Sequence, residues 1–385
     1  MTLQAQKDLF DIPEEINYFN IASLSPSFKT IEEAGVKALK EKSRPYLVPT
    51  SDFFEPVIKV KKLFAQLIDA DDYNRIANIP SVSYGMATVA NNIKLKEGDE
   101  IVLIQDEFPS NYYAWEKLAQ ESKAIIKTVK QPKTKENCGE QWNQDILDSI
   151  NEKTAFIALG NIHWANGTLF DLKAIRKKTN EHNALLIIDG SQSIGALEFS
   201  IKEINPDALI CAGYKWLFGP YGSGFAYFGS YFDNGNPIEE NWSNRMNSEN
   251  FSGLTQYESN YKPLANRYSV GEHGNFIYIK MQIAALEQLI QWTPKAIQEY
   301  CKSISKEAVI ALQNAGCYIE NSNNRAHHLF GIEIPKHVDI DVLKTVLKKH
   351  HVFLSFRGNY IRTSCHLYNT SKDFETLTHC ILSVL

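Results

Sequence analysis

The sequence predicts an α/β protein: a large domain on a mostly parallel, mixed sheet flanked by helices, then a smaller α+β C-terminal domain. Three observations carry this. Short β-branched runs alternate with helical patterns from about residue 55 to 230. Those runs are apolar without strict alternation, as strands covered on both faces are. Beyond them, a long helical pattern leads into a tail that reads strand, helix, strand, helix, which suits a second core.

The predicted strands are "EIVLIQ" from Glu100, "AIIKTV" from Ala124, "AFIALG" from Ala155, "ALLIID" from Ala184, "DALICA" from Asp207 and "GFAYF" from Gly224. Helical stretches such as "SNYYAWEKLAQ" from Ser110 and "DLKAIRKKTNEH" from Asp171 lie between them, the order that βαβ units give. From about Tyr231 to Asn266 the chain is rich in Asn, Ser, Gly and Glu, and no core can be read into it. The pattern "NFIYIKMQIAALEQLIQW" starts at Asn275, Pro294 opens the next helix, and "KHVDIDVLKTVLKKH" and "SKDFETLTHCILSVL" are the helices of the tail. The expected division is an N-terminal segment over 1–17 packing on the small domain, a large domain over 18–265 and a small domain over 266–385.

At 385 residues the chain exceeds a single core, and its 44% apolar and 22% charged residues are ordinary for a globular protein. A net charge of −5 argues against nucleic-acid binding, which needs clustered Lys and Arg. Lys59, Lys61 and Lys62 read as a solvated helix face. The six cysteines show no metal-ligand spacing and read as reduced thiols. No apolar run approaches the roughly 20 residues of a membrane span, and no signal peptide is indicated. A cytoplasmic location is expected.

The chemistry starts at "LLIIDGSQSIG", where Asp189 ends a strongly apolar strand. A carboxylate there is costly unless a cation or hydrogen bond meets it. Lys215, in "CAGYKWLFGPYGSGF", follows the next strand and reaches the same sheet edge if the two strands are neighbours. Ligands collect at that edge in open α/β sheets. The plain alternative for Asp189 is a helix cap, and Lys215 taken singly reads as a snorkelling side chain. Together, in apolar surroundings, they suggest a site for a pyridinium and an imine. Pyridoxal phosphate needs a lysine amine of depressed pKa, an acid facing the ring nitrogen, and a phosphate cradle at a helix N-terminus. Ser81, Ser83 and Tyr84, ahead of a helical pattern near Gly85, supply that cradle.

These residues resemble the class V aminotransferase family of fold-type I pyridoxal-phosphate enzymes, which includes cysteine desulfurases, kynureninases and isopenicillin N epimerase. The similarity runs from "YFNIASLSP" at Tyr18 to "RTSCHLYNTSKDFETL" ending at Leu377, and its strongest block is "DGSQSIG…DALICAGYKWLFGPYGSGF". The resemblance implies that Lys215 forms the internal aldimine, Asp189 pairs with the pyridine nitrogen and Gln192 bonds the phenolic oxygen. It puts Phe108 in the ring-stacking place, Tyr214 on the phosphate and Trp164 where desulfurases carry an Asn near the ring oxygen. Gly271 and Glu272, in "RYSVGEHGNF", fall in a segment that reaches the partner subunit's phosphate, which implies a homodimer with shared sites. Arg362 corresponds to the arginine that clamps a substrate's α-carboxylate; without that match it would read as a surface ion pair.

A standard desulfurase needs a nucleophilic cysteine on a loop before the arginine segment. Here only Asn359, Tyr360 and Ile361 separate Gly358 from Arg362. "GPYGSG" lacks the Lys-Ser/Thr ending of a nucleotide-binding loop, and adjacent histidines at 327–328 and 350–351 point apart on any regular element. The sequence therefore predicts an enzyme acting on an amino acid or related amine, most simply a transaminase. A C–S or C–Se lyase, a kynureninase-like lyase, an epimerase and a non-catalytic cofactor-binding protein are its alternatives.

Overall fold

The apolar runs form a seven-stranded sheet in the order Ile76–Ile79, Gly224–Phe228, Ala208–Ala212, Leu185–Asp189, Thr154–Gly160, Glu100–Ile104 and Ile125–Val129, in a computed structural model that describes residues 3–385. Gly224–Phe228 runs against both neighbours and the other pairs are parallel. The sheet is thus mixed and mostly parallel, as expected. Strands such as Ala208–Ala212 are buried at every position because helices cover both faces. Ile76–Ile79 is too short to stand out in the sequence, although all four of its residues are buried.

Helix Tyr113–Ser122 buries Trp115 and Ala119, and helix Leu172–Glu181 buries Leu172, Ile175 and Thr179, each against the sheet on one stripe. Helix Val82–Asn92 starts three residues before the expected Gly85, because the Ser81 side chain already accepts from Tyr84 N–H and caps it. The stretch 231–266 has only short 3₁₀ turns. It still buries Ser243, Asn244 and Ala265, against the expectation that no core would be found there. Helix Tyr278–Trp292 and helix Pro294–Asn314 follow.

A second, antiparallel sheet orders Ser355–Arg357, Tyr360–Ser364 and Leu329–Glu333. Near the N-terminus, Asn17–Tyr18 pairs in parallel with Val352–Phe353, and Gln6 N–H donates to the carbonyl of Leu367.

The basic run on helix Glu55–Leu67 corrects one expectation. Lys59 and Lys62 face solvent, but Lys61 is only 3% exposed, and its Nζ donates to Asn266 Oδ1 at 3.0 Å and Ser269 Oγ at 3.4 Å. Burial pulls its pKa down to about 7. The helix turns one residue of a charged run inward whenever its period demands it. All six cysteines are free and buried. Among the described residues no helix is long and apolar enough to cross a membrane.

Candidate active site

The register pairs Asp189 with Ile210, so the strand ending at Asp189 and the strand that leads to Lys215 end side by side. Ser191 Oγ accepts from Ala212 N–H at 3.1 Å and ties the two ends together. Gly190 makes that turn possible: a Cβ there would lie 2.6 Å from Ile194 Cγ1 and 2.8 Å from Cys211 Sγ. Asp189 and Lys215 then line one cleft of about 220 Å³ with Ser83, Phe108, Trp164 and Gln192.

Lys215 is 7% exposed. Among the described residues it has no ion pair, and its Nζ lies 5.3 Å from the centre of the Phe108 ring and 5.7 Å from that of Tyr214. Burial lowers its pKa to about 8; the Asp189 charge opposes that shift, and those of Arg362 and Arg357 add to it. Burial likewise raises the Asp189 carboxyl, although Ser191 N–H donates to its Oδ1 at 2.9 Å and Lys215 favours the charged form.

Gln192 is oriented by donors and acceptors that admit one arrangement. The Trp216 indole, a donor only, meets Oε1 at 2.9 Å, and Nε2 donates to the Ala22 carbonyl at 3.1 Å. His328 Nε2 sits 2.8 Å from the Gln192 carbonyl. One amide hydrogen is left for the cleft.

Phe108 stands edge to face with Trp164, centroids 5.4 Å apart, and Trp164 Nε1 donates to the Asp106 carbonyl at 2.7 Å. Ser81 and Ser83 also line the cleft and face each other at 3.0 Å across the start of helix Val82–Asn92. The Tyr214 ring lies 4.4 Å from that of Tyr221, and both line the cleft. Tyr84 does not line it; its hydroxyl is buried without a partner.

Gly271 and Glu272 line a neighbouring cavity of about 180 Å³, which shares Pro80, Gly222 and Ser223 with the cleft. Within one chain they do not join Lys215. Arg362 does not line the cleft itself; it is 2% exposed and among the described residues meets no acid. Its Nε donates to Ser355 Oγ at 3.1 Å, Nη1 to the Trp164 carbonyl at 3.2 Å and Nη2 to Ser23 Oγ at 2.6 Å.

Sequence reasoning assigned no role to Glu107, Trp216 or Arg357. Glu107 lines the cleft with Oε2 unpartnered, and burial raises its carboxyl to about 8. Its signal is the one that found Asp189, an acid just beyond an apolar strand. Trp216 adjoins Lys215, but nothing in the sequence links it to Gln192. A larger groove of about 990 Å³ along helix Lys29–Lys42 is lined chiefly by solvent-facing Lys and Glu and gathers no buried polar groups.

The cleft's donor set fits pyridoxal phosphate. A buried acid, an amine without an ion pair, an aromatic face and a capped helix start with two hydroxyls surround a single space.

The family model for aminotransferase class V matches residues 46–377. A probable cysteine desulfurase of Staphylococcus epidermidis is 30% identical over 83% of this chain and 77% of its own length. The uncharacterized aminotransferase YcbU of Bacillus subtilis is 25% identical over 81% and 79%. Among solved structures, the apo cysteine desulfurase of Thermococcus onnurineus superposes with a TM-score of 0.84 at 18% identity, covering 98% of this chain and 97% of that one. A C-DES variant with glycine covalently linked to its PLP cofactor reaches 0.85 at 16% identity, covering 99% and 100%. At such identities the structural likeness bears on the fold alone. The family match carries the rest: the chain belongs to the class V aminotransferases, enzymes that depend on pyridoxal 5'-phosphate.

Proposed function

We propose that the protein is a homodimeric aminotransferase whose cofactor is bound covalently by Lys215 and whose substrate is an amino acid or related amine. The observation that supports this most is a buried amine without an ion pair, set between an acid and an aromatic ring, with an acid-free arginine nearby. When bound, the cofactor supplies a carbon that accepts amines and a ring that withdraws electrons.

The residues have these roles in our reading. Asp189 keeps a proton on the ring nitrogen, and Gln192 donates its remaining amide hydrogen to the ring oxygen. Phe108 stacks on the ring, with Trp164 holding it edge-on. Ser83, the N–H groups of helix Val82–Asn92 and Tyr214 take the phosphate; Tyr84 contributes its backbone position. Arg362 forks onto the α-carboxylate, which fixes the substrate with its α-hydrogen toward Lys215. The Lys215 amine, poised by burial below the usual lysine range, would be the group that takes that hydrogen at Nζ and hands it back. Gly271 and Glu272 of one subunit complete the phosphate site of the other. The division at residues 17 and 265 and a cytoplasmic setting belong to the same reading.

A second reading, a C–S lyase, is favoured by the desulfurase relatives. Against it, Arg357 and Tyr360 are joined by Gly358 and Asn359 alone, and no cysteine lines the cleft. The test is to titrate the holoenzyme with amino acids while following its visible absorbance and assaying keto acid, ammonia and sulfide. Transamination predicts keto acid and transfer to a 2-oxo acid acceptor without sulfide. Sulfide from cysteine would establish the lyase, and a spectrum unmoved by every amino acid would leave a cofactor-binding protein without turnover.

A further inference from the structure

The hairpin that carries Arg362 carries a second arginine on the same face. Ser355 pairs with Arg362 and Arg357 pairs with Tyr360, so all four side chains leave one side of the sheet. Arg357 and Arg362 are diagonal neighbours there, a spacing of about 7–8 Å. Both guanidiniums sit against the ring of Trp164, at 5.6 Å and 5.9 Å from its centre. Trp164 in turn lines the cofactor cleft.

Neither arginine has an acid. The ion-paired arginines among the described residues are Arg75, Arg176 and Arg245. Arg357 is half-buried, and the one hydrogen bond its side chain makes is Nη1 to the Phe356 carbonyl at 2.7 Å. Two like charges placed diagonally repel each other, and each arginine lowers the pKa of Lys215 through its charge. The single acid acting on Lys215 is Asp189, which our reading commits to the ring nitrogen. Behind Trp164, at the edge of the cleft, stand two arginines without an acid, and one α-carboxylate answers one of them.

We infer that Arg357 forms a subsite for a second anionic group, so that the preferred substrate is an amino acid with an acidic side chain. This rests on the proposed reading in which Arg362 takes the α-carboxylate. A planar guanidinium with free N–H groups suits a carboxylate or sulfinate, and its place against Trp164 keeps that fork beside the cleft. An amide isostere would leave one of the two charges unanswered.

The test is spectral titration of the holoenzyme with L-aspartate, L-glutamate and L-cysteine sulfinate against L-asparagine, L-glutamine and L-alanine. The acids are expected to half-saturate the change at concentrations roughly tenfold or more below their neutral isosteres. Arg357→Gln should bring that ratio close to one, and Arg357→Lys should keep part of it. The visible band of each variant reports that it is folded and loaded. Comparing aspartate and glutamate with cysteine sulfinate separates a carboxylate subsite from a sulfinate one. Equal titration by acids and isosteres, or an acid preference that survives Arg357→Gln, overturns the subsite and leaves the parent reading standing. No response to any amino acid overturns both.

Discussion

Replacing Lys215 by Met in the cofactor-free protein should stabilise it, because the amine is kept for chemistry at a cost to the fold. Burial lowers the amine's pKa from 10.5 to about 8. That difference is worth about 3 kcal/mol, at about 1.4 kcal/mol per unit. Below pH 8 the amine is charged in both folded and unfolded chains, and the folded one bears the full penalty. Between pH 8 and 10.5 the folded chain binds fewer protons, so stability rises with pH, and above 10.5 the penalty is gone. Met keeps the unbranched shape without the charge. Denaturant unfolding of the two apo proteins at pH 7 and 9.5 isolates the effect from groups away from the cleft, which titrate alike in both. The variant should lead by about 3 kcal/mol at pH 7 and by about 1 kcal/mol at pH 9.5. A lead that does not shrink with pH, or a less stable variant at pH 7, would refute the reasoning.

Trp216→Phe removes the donor that fixes the Gln192 amide. A donor at the ring oxygen draws off the charge that holds a proton on the linking nitrogen. The midpoint of the holoenzyme's visible band should therefore move to higher pH by roughly half a unit to one unit, the worth of one net hydrogen bond; an unmoved midpoint contradicts the orientation. Glu107 is raised from 4.5 to about 8, so between those values the folded chain binds more protons and stability falls as pH rises. Glu107→Gln should therefore gain on wild type by about 1 kcal/mol per pH unit from pH 5 to 8 in apo-protein unfolding, whereas a flat difference would show an ionised Glu107. Gly190→Ala pushes a methyl into Ile194 and Cys211 and should cost about 1–3 kcal/mol. It should also weaken cofactor binding by displacing Asp189, as calorimetric melting and cofactor titration would show.

The elements legible in the sequence were those whose burial follows from short-range pattern. Six of the seven strands of the large sheet announce themselves as apolar runs, and Asp189 and Lys215 fall at the ends of two of them. Ile76–Ile79 does not, because four residues are too few for any period. Lys61 was misread because charge runs say nothing about which residue a helix turns inward. Ser243 and Asn244 are buried in turns with no regular period. Gln192, Phe108 and Arg362 were legible through the family resemblance. Three features stayed hidden: Trp216 on Gln192, Trp164 against two arginines, and the register that turns Arg357 and Arg362 to one face. The first two depend on segments brought together by the sheet, and the third on the register of a short hairpin whose strands of three and five residues are too brief to show a period.

The central claim is that Lys215 binds the cofactor. Borohydride reduction of the holoenzyme, followed by proteolysis and mass mapping, tests it directly, because reduction makes the carbon–nitrogen link permanent. The cofactor's mass is expected on the peptide containing Lys215 and is expected to be lost from that peptide in Lys215→Ala. Cofactor mass on another lysine of the wild-type protein, or on none, would contradict it.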